Sequence, residues 1–268
     1  MMRKKLTAIL LCVLMLLCFC GCEGEKKPET PATMLAWMLD DHLADLDLAE
    51  QQDLFWDYYN FYAEESVVGY EMSHHNELRF LPDFAEGEQP SWDSAFIFLM
   101  DFADSRRNED GYVCWSRPGL VAAADILLPD YTVPEEGNGW VDYHAEDGGY
   151  FQSVGWSIGG AVYYWLTTPV QLEDGVYHAE FLGYALDEVW YDAVDFGPAV
   201  GNEAKLCQIA LDAGVEPIKF NLQNHLPDIL QAGQLTPCEK LTVSFKLSGD
   251  DKLPLTYLSA ERVQLTAN

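Results

Sequence analysis

The stretch that decides the fold lies near the carboxyl end of the chain, where residues 241–247 read Leu241-Thr242-Val243-Ser244-Phe245-Lys246-Leu247. Apolar and polar side chains alternate through it, which is the period of a β-strand with one buried and one solvated face. A turn sequence follows at residues 249–251, and apolar residues then alternate again at Leu253, Leu255 and Tyr257. The stretch therefore predicts an antiparallel hairpin, because antiparallel sheets commonly keep one face wet.

A second hairpin is predicted upstream. Residues 161–172 are rich in valine, tyrosine and tryptophan, and the dipeptide Asp174-Gly175 that follows is a strong turn signal. The return strand, residues 176–184, places Tyr177, Ala179 and Phe181 on one face. Shorter strands are predicted at residues 140–143 and 150–154.

Helical patterns dominate the first half of the chain. Apolar residues at spacings of three and four predict a helix capped by Thr33 and a second helix over residues 50–64. Two further helices are predicted to begin at the caps Ser91 and Ser116, the latter followed by Pro118. Later helices are predicted at residues 202–213 and 222–232.

Helices come first and strands follow, which indicates an α+β fold rather than a parallel βαβ series. We expect N-terminal helices packed on a curved antiparallel sheet, with an NTF2-like cone as one form that such a sheet takes. The helical part is predicted to cover residues 33–129, and the strand-rich part residues 130–268.

The amino-terminal residues predict export. A basic start, residues 3–5, precedes an uncharged run from Leu6 to Phe19 that is short for a spanning helix of about 20 residues. Residues 1–21 are therefore predicted to be a signal peptide. The sequence Phe19-Cys20-Gly21-Cys22 resembles the lipobox of bacterial lipoproteins, in which a small residue precedes the lipid-bearing cysteine.

The lipobox resemblance implies lipidation of Cys22, although leucine is usual where Phe19 stands. Residues 22–32 lack large apolar side chains and are predicted to be a flexible tether. Residues 33–268 would then form an extracytoplasmic domain that is anchored to the cell membrane by lipid.

The charge of the chain excludes one class of partner. Its 268 residues include 44 acidic and 15 basic side chains, for a net charge of −29. Such a protein repels phosphate backbones, so nucleic acid is not expected as a partner.

A longer resemblance covers about two thirds of the chain, residues 91–262. The features that carry it are the helix opening at Trp92, residues 149–157 with glycines after them, residues 174–183, and the hairpin that closes with Tyr257-Leu258-Ser259. Together they resemble uncharacterised bacterial lipoproteins of the cell envelope. This resemblance implies an extracytoplasmic α+β domain and carries over no catalytic residue.

A group of aromatic residues forms the candidate ligand-binding site. Tyrosine and tryptophan have flat apolar faces and polar tips that suit sugars and peptides. The alternative is that these rings build the core. The candidates are Trp140, Tyr143, Tyr150, Trp156, Tyr163 and Trp165.

Two reactive arrangements compete with this interpretation. Residues 155–159 match the G-x-S-x-G pattern of a serine nucleophile, Ser157, but a strand pattern follows where that motif requires a helix. His144, Glu146 and Asp147 offer mixed metal ligands, but zinc sites usually show tighter spacing, and a solvated loop is the preferred interpretation. No catalytic residue, metal or cofactor is therefore predicted.

The sequence predicts a membrane-anchored surface lipoprotein that acts as a non-enzymatic binding or interaction module. Its expected ligand is a wall polymer, a glycan or a protein. The alternative is an extracellular hydrolase that uses Ser157 or a pair of carboxylates.

Overall fold

A computed structural model describes residues 30–59, 77–107, 112–152, 161–186, 201–215 and 222–265. The helices in these ranges are α1 (Pro31–Trp37), α2 (Leu48–Tyr59), α3 (Glu77–Phe80), α4 (Trp92–Leu99), α5 (Arg117–Leu127), α6 (Gly201–Asp212) and α7 (Leu222–Gln231). A π-helical turn, Met38–His42, continues α1.

The strands form two antiparallel sheets. They are β1 (Ser105–Arg107), β2 (Val113–Ser116), β3 (Val141–His144), β4 (Gly149–Gln152), β5 (Ala161–Leu166), β6 (Gln171–Glu173), β7 (Val176–Leu186), β8 (Glu239–Leu247) and β9 (Leu255–Gln264). One sheet has the order β1-β2-β4-β3, and the other has the order β5-β7-β8-β9 with β6 also paired to β7. The predicted α+β class is confirmed.

The hairpin at the carboxyl end is confirmed and contains one irregularity. Strands β8 and β9 pair from Glu239↔Gln264 to Leu247↔Leu255, with a register shift at Ser244/Phe245. Ser244 pairs with Ser259 and Phe245 with Tyr257, so Leu258 is the extra residue of a β-bulge. The bulge keeps both Tyr257 and Ala260 on the buried face, where each is fully inaccessible to solvent.

The larger sheet carries the main core on one face. Phe181, Val243, Phe245 and Tyr257 point inward and pack against α1, α2, α4 and α5. Aromatic edges meet there: Phe55 of α2 lies 5.7 Å from Phe181 and 6.2 Å from Phe245 between ring centroids. The predicted packing of N-terminal helices on an antiparallel sheet is therefore observed.

A second, smaller core covers one end of the opposite face. Trp165 of β5 and Tyr184 and Leu186 of β7 pack there with apolar residues of α6 and α7, including Leu206 and Leu226. The sheet is thus buried on both faces at this end. Toward the other end of β7, the same face is polar and carries His178 and Glu180.

The long strand predicted over residues 161–172 is broken in two. Pro169 interrupts it, because proline cannot donate to a ladder hydrogen bond. Two buried glutamines of α2 satisfy backbone groups beside the break: Gln52 Nε2 donates to Leu166 O (2.7 Å), and Gln51 Oε1 accepts from Val170 N (3.0 Å).

The first helix begins three residues earlier than predicted. Thr30, not Thr33, is the N-cap, and the two side chains form a reciprocal capping box. Pro31 fits because the first helical position needs no N–H donor. The caps at Ser91 and Ser116 are confirmed.

The smaller sheet also departs from expectation. A single sheet was expected in the strand-rich part, yet β1 and β2 lie within residues 33–129, before α5, and pair with each other and with β4. Tyr150 of β4 and Trp115 of β2 form a cross-strand pair whose rings face Phe96 of α4. This sheet holds three of the predicted aromatic site residues on or beside its strands.

Candidate functional site

The structure separates the predicted aromatic group into two places. Trp140, Tyr143 and Tyr150 belong to the smaller sheet and the loop before it, whereas Tyr163 and Trp165 lie on β5 of the larger sheet. Trp156 lies outside the described residues. The five described rings therefore do not form one surface.

Tyr150 is the buried centre of the first place. Its side chain is fully inaccessible, and its hydroxyl donates to the carbonyl oxygen of Pro134. Its ring lies 5.1 Å from Tyr143 and 5.3 Å from Trp92 between centroids. Tyr150 is thus a core residue, which corrects its expected role as a direct ligand contact.

Three rings at this place remain partly exposed and pack on the main core: Trp92, Trp140 and Tyr143. We call this group the aromatic rim. Trp92 was predicted only as a helix residue, because its position on α4 is 48 residues before Trp140 in the chain. Only the packing of α4 on the smaller sheet brings the two regions together.

The loop of residues 134–140 is held against α4 by defined hydrogen bonds. Trp92 Nε1 donates to Glu136 O (3.1 Å), and Gly139 N donates to Asp93 Oδ1 (3.1 Å). Within the loop, Asn138 Oδ1 accepts from Trp140 N (2.8 Å) and from the next backbone amide. Hydrogen bonds within the protein therefore hold the backbone at Trp140 without the help of a ligand.

The phenols of Tyr150 and Tyr131, near the rim, stay protonated at neutral pH. Burial raises the pKa of Tyr150 to about 12, although the Arg117 guanidinium acts in the opposite direction. Burial also raises the pKa of Tyr131 to about 12. Arg117 Nη2 donates to Val133 O (3.0 Å), which ties the start of α5 to the segment that precedes the loop.

The second group of predicted aromatic residues, Tyr163 and Trp165, lies toward the interior of the protein. Trp165 is 5% exposed, because α6 and α7 pack over this side of β5. Trp56 of α2 stacks on Tyr163 with centroids 6.1 Å apart and meets Trp165 edge-on at 5.8 Å. Trp165 is therefore a core residue rather than a direct ligand contact, and Tyr163 is partly buried beside it.

The predicted nucleophile Ser157 lies outside the described residues, so the hydrolase hypothesis stays a prediction. A serine nucleophile needs a histidine as its base. His178 lies on the polar face of β7, where its Nδ1 is 2.9 Å from Ser244 Oγ. Beyond this pair, that face carries an ion pair between Lys240 Nζ and Glu180 Oε2 at 2.6 Å.

A polar network that sequence reasoning missed crosses the larger sheet around the buried side chains of Tyr164 and Glu239. Tyr164, Gly183, Glu239 and Gln264 lie in one row across four strands. The Tyr164 hydroxyl donates to one carboxylate oxygen of Glu239, and Gln264 Nε2 donates to the other at 2.6 Å. Burial raises the pKa of Tyr164, which keeps its hydroxyl protonated as the donor.

Arg262 completes this network. Its Nε donates to the Tyr164 hydroxyl (3.1 Å), Nη1 to Asp83 Oδ1 (2.6 Å) and Nη2 to the carbonyl oxygen of Leu78. Both oxygens of Glu239 and all three guanidinium nitrogens are thus partnered, as a structural network requires. The sequence did contain one signal for this network. Glu239 stands two residues before Leu241, which places a carboxylate on the inward face of β8.

The turn between β3 and β4 brings three possible metal ligands together. One ligand atom from each of His144, Glu146 and Asp147 lies within 4.8 Å of the others, and His144 Nδ1 is 3.7 Å from Asp147 Oδ2. The sequence identified these residue types, and the hairpin turn supplies their proximity.

Comparisons with known proteins add no family to this description. No family model matches the chain, and searches of curated proteins and of solved structures found no significant match.

Proposed function

We propose that this chain is a lipid-anchored lipoprotein of the bacterial cell envelope and that its folded part is a non-enzymatic binding module. We further propose that the aromatic rim contacts the ligand. The single observation that carries the binding role is the rim itself: three partly exposed aromatic side chains that all pack on the main core.

The anchoring part of the proposal rests on the sequence. The basic start, the uncharged run to Phe19 and the lipobox-like residues 19–22 favour export and lipid attachment at Cys22. In the ranges that the structure describes, no helix combines the length and the apolar character that a membrane crossing needs. A single acyl chain binds membranes marginally, so stable anchoring calls for more than one, as lipoprotein-type modification supplies.

The geometry of the rim suits a ligand with flat apolar faces. Its rings have faces against which sugar C–H groups pack, and they are positioned at low conformational cost because hydrogen bonds fix the loop beneath Trp140. Trp92 uses its indole N–H on Glu136 O, which leaves its ring rather than its polar tip for contact.

The surrounding charge narrows the ligand class. Asp93, Glu136 and Asp142 are exposed near the rim, and the whole chain carries a net charge of −29. Anionic wall polymers would be repelled from this surface. The proposed ligand is therefore a neutral or amino-sugar-containing glycan of the envelope.

Binding of the full-length protein in detergent to a glycan array tests this proposal. We expect binding to neutral or amino-sugar glycans that falls at least tenfold in Trp140→Ala and in Tyr143→Ala, with Trp140→Phe retaining part of it. Tyr112→Ala is the matched control, because Tyr112 is an exposed aromatic (52%) before β2, two strands away from β3.

Thermal unfolding of each variant distinguishes lost contact from lost structure. Wild-type unfolding temperatures in weakly binding variants support the rim as the contact surface. Binding that is equal in all variants, or binding to peptides alone, would overturn the assignment.

A further inference from the structure

The turn that joins β3 to β4 is a defined structure rather than a loose loop. Asp147 N donates to His144 O (3.2 Å), and Gly148 N donates to Ala145 O (3.3 Å). Gly148 has φ +61°, a conformation that glycine adopts without strain. Arg117 N also donates to Gly148 O (3.0 Å), which fixes the turn to the start of α5.

The imidazole of His144 is oriented by its neighbour on β4. Its ring stacks on Phe151 with centroids 4.4 Å apart and an interplanar angle of 27°. In this orientation Nδ1 faces the carboxylate of Asp147 at 3.7 Å. That separation is too long for a hydrogen bond, so the two groups do not satisfy each other.

The same separation is close to that of two ligands on one metal ion. Zinc bonds of about 2.0–2.2 Å in a tetrahedral arrangement place neighbouring ligand atoms about 3.4 Å apart. All three ligand atoms of His144, Glu146 and Asp147 lie within 4.8 Å of one another. Small side-chain rotations at this exposed turn would bring them onto a single ion.

We propose that His144, Glu146 and Asp147 form a binding site for one divalent transition-metal ion, independent of the aromatic rim. We call these residues the hairpin triad. One imidazole nitrogen and two carboxylates suit Zn²⁺, and water completes the coordination because the site is open. Ca²⁺ and Mg²⁺ fit less well, because they take oxygen ligands in larger number.

The charge of the protein favours occupancy. A net charge of −29 raises the local concentration of cations at the surface. That attraction alone does not distinguish one acidic patch from another, so the imidazole is what makes the hairpin triad specific. The experiment therefore centres on His144.

Isothermal titration of the full-length, chelator-treated protein with Zn²⁺ in an excess of Ca²⁺ tests the proposal. Ca²⁺ fills sites that are made of carboxylates alone, and sites that need a nitrogen ligand stay open to Zn²⁺. We expect one Zn²⁺ per chain and at least a tenfold loss of affinity in His144→Ala and in Asp147→Asn. Glu146→Gln is expected to lose affinity in the same direction.

His178→Ala is the matched control, because His178 lies on the larger sheet beside Ser244. Unchanged Zn²⁺ affinity in this control supports the assignment to the hairpin triad. Equal Zn²⁺ affinity in wild type and His144→Ala, or complete competition by Ca²⁺, would overturn it. A failed glycan-binding experiment leaves this result unaffected, since the variants and the ligands differ.

Discussion

Asp101, just after α4, is a partly buried carboxylic acid. Burial raises the pKa of its side chain to about 7. The ionised form is therefore less favourable in the folded protein than in the unfolded chain, where an aspartate has a pKa of about 3.9. The partly buried Arg262, by contrast, has a hydrogen-bond partner at each of its three guanidinium nitrogens.

The substitution Asp101→Asn tests this difference. Because the folded pKa is raised, the cost of ionising Asp101 is absent near pH 4, grows with pH and is complete above pH about 7. We expect Asp101→Asn to increase the free energy of unfolding at pH 8 by on the order of 2 kcal/mol and to change it little at pH 4.

Urea unfolding at the two pH values measures the effect of Asp101→Asn. Asp104→Asn is the control, because Asp104 lies three residues away and is exposed. The same gain at pH 4 and pH 8 would show that the amide acts through packing and not through the removed charge.

At the scale of elements, the packing around β7 depends on Gly183, a residue without a side chain. A Cβ at Gly183 would lie 2.8 Å from Glu239 Cγ, 3.0 Å from Val162 Cγ1 and 3.1 Å from Tyr164 Cε1. Glycine at this position lets the Tyr164 ring cross β7 and reach Glu239 on β8. The polar network thereby joins β5 and β8, which are not neighbours in the sheet.

Gly183→Ala is therefore expected to lower the free energy of unfolding by about 1–3 kcal/mol, the usual cost of overpacking. Chemical denaturation gives the value. Gly139→Ala is the matched control, since its new Cβ would meet nothing closer than 3.9 Å. Equal effects of the two substitutions would contradict the packing explanation.

The elements themselves were largely predictable from the sequence. The alternation of Leu241, Val243 and Phe245 predicted β8 and its inward face, and the caps Ser91 and Ser116 predicted where α4 and α5 begin. Such features depend on local periodicity and on local hydrogen bonds, which neighbouring residues determine.

The grouping of the aromatic residues was not predictable in the same way. Alternation places Trp165 and Tyr164 on opposite faces of β5, but it does not say that α6 and α7 cover the outer face. Trp92 reaches the loop of residues 134–140 only through tertiary packing, where its Nε1 donates to Glu136 O. Long-range contacts of this kind leave no period in the sequence.

For the whole molecule, the larger sheet is mostly covered by helices, whereas the two proposed binding sites lie elsewhere, at and beside the smaller sheet. The larger sheet is buried by N-terminal helices on one face and by α6 and α7 at one end of the other. The aromatic rim comes from α4, the loop before β3 and β3 itself, and the hairpin triad lies at the turn after β3. An NTF2-like cone stays a prediction, because the observed topology divides the strands between two sheets.

This separation fits the proposed position outside the cell. A tether of about ten residues would keep the proposed ligand surface free while lipid held the other end. The net negative charge opposes close approach to anionic headgroups, so in the proposed arrangement attachment would depend on the lipid rather than on the folded part. Both features make Cys22 the residue on which the whole account depends.

Metabolic labelling with a palmitate analogue in a bacterial host, followed by membrane fractionation, tests the central claim most directly. The account predicts a labelled wild-type protein in the membrane fraction that is accessible to protease added to cells from which any outer barrier has been removed. Cys22→Ser is expected to lose the label, whereas Cys20→Ser keeps it. An unlabelled wild-type protein recovered in the cytosolic fraction would contradict the account.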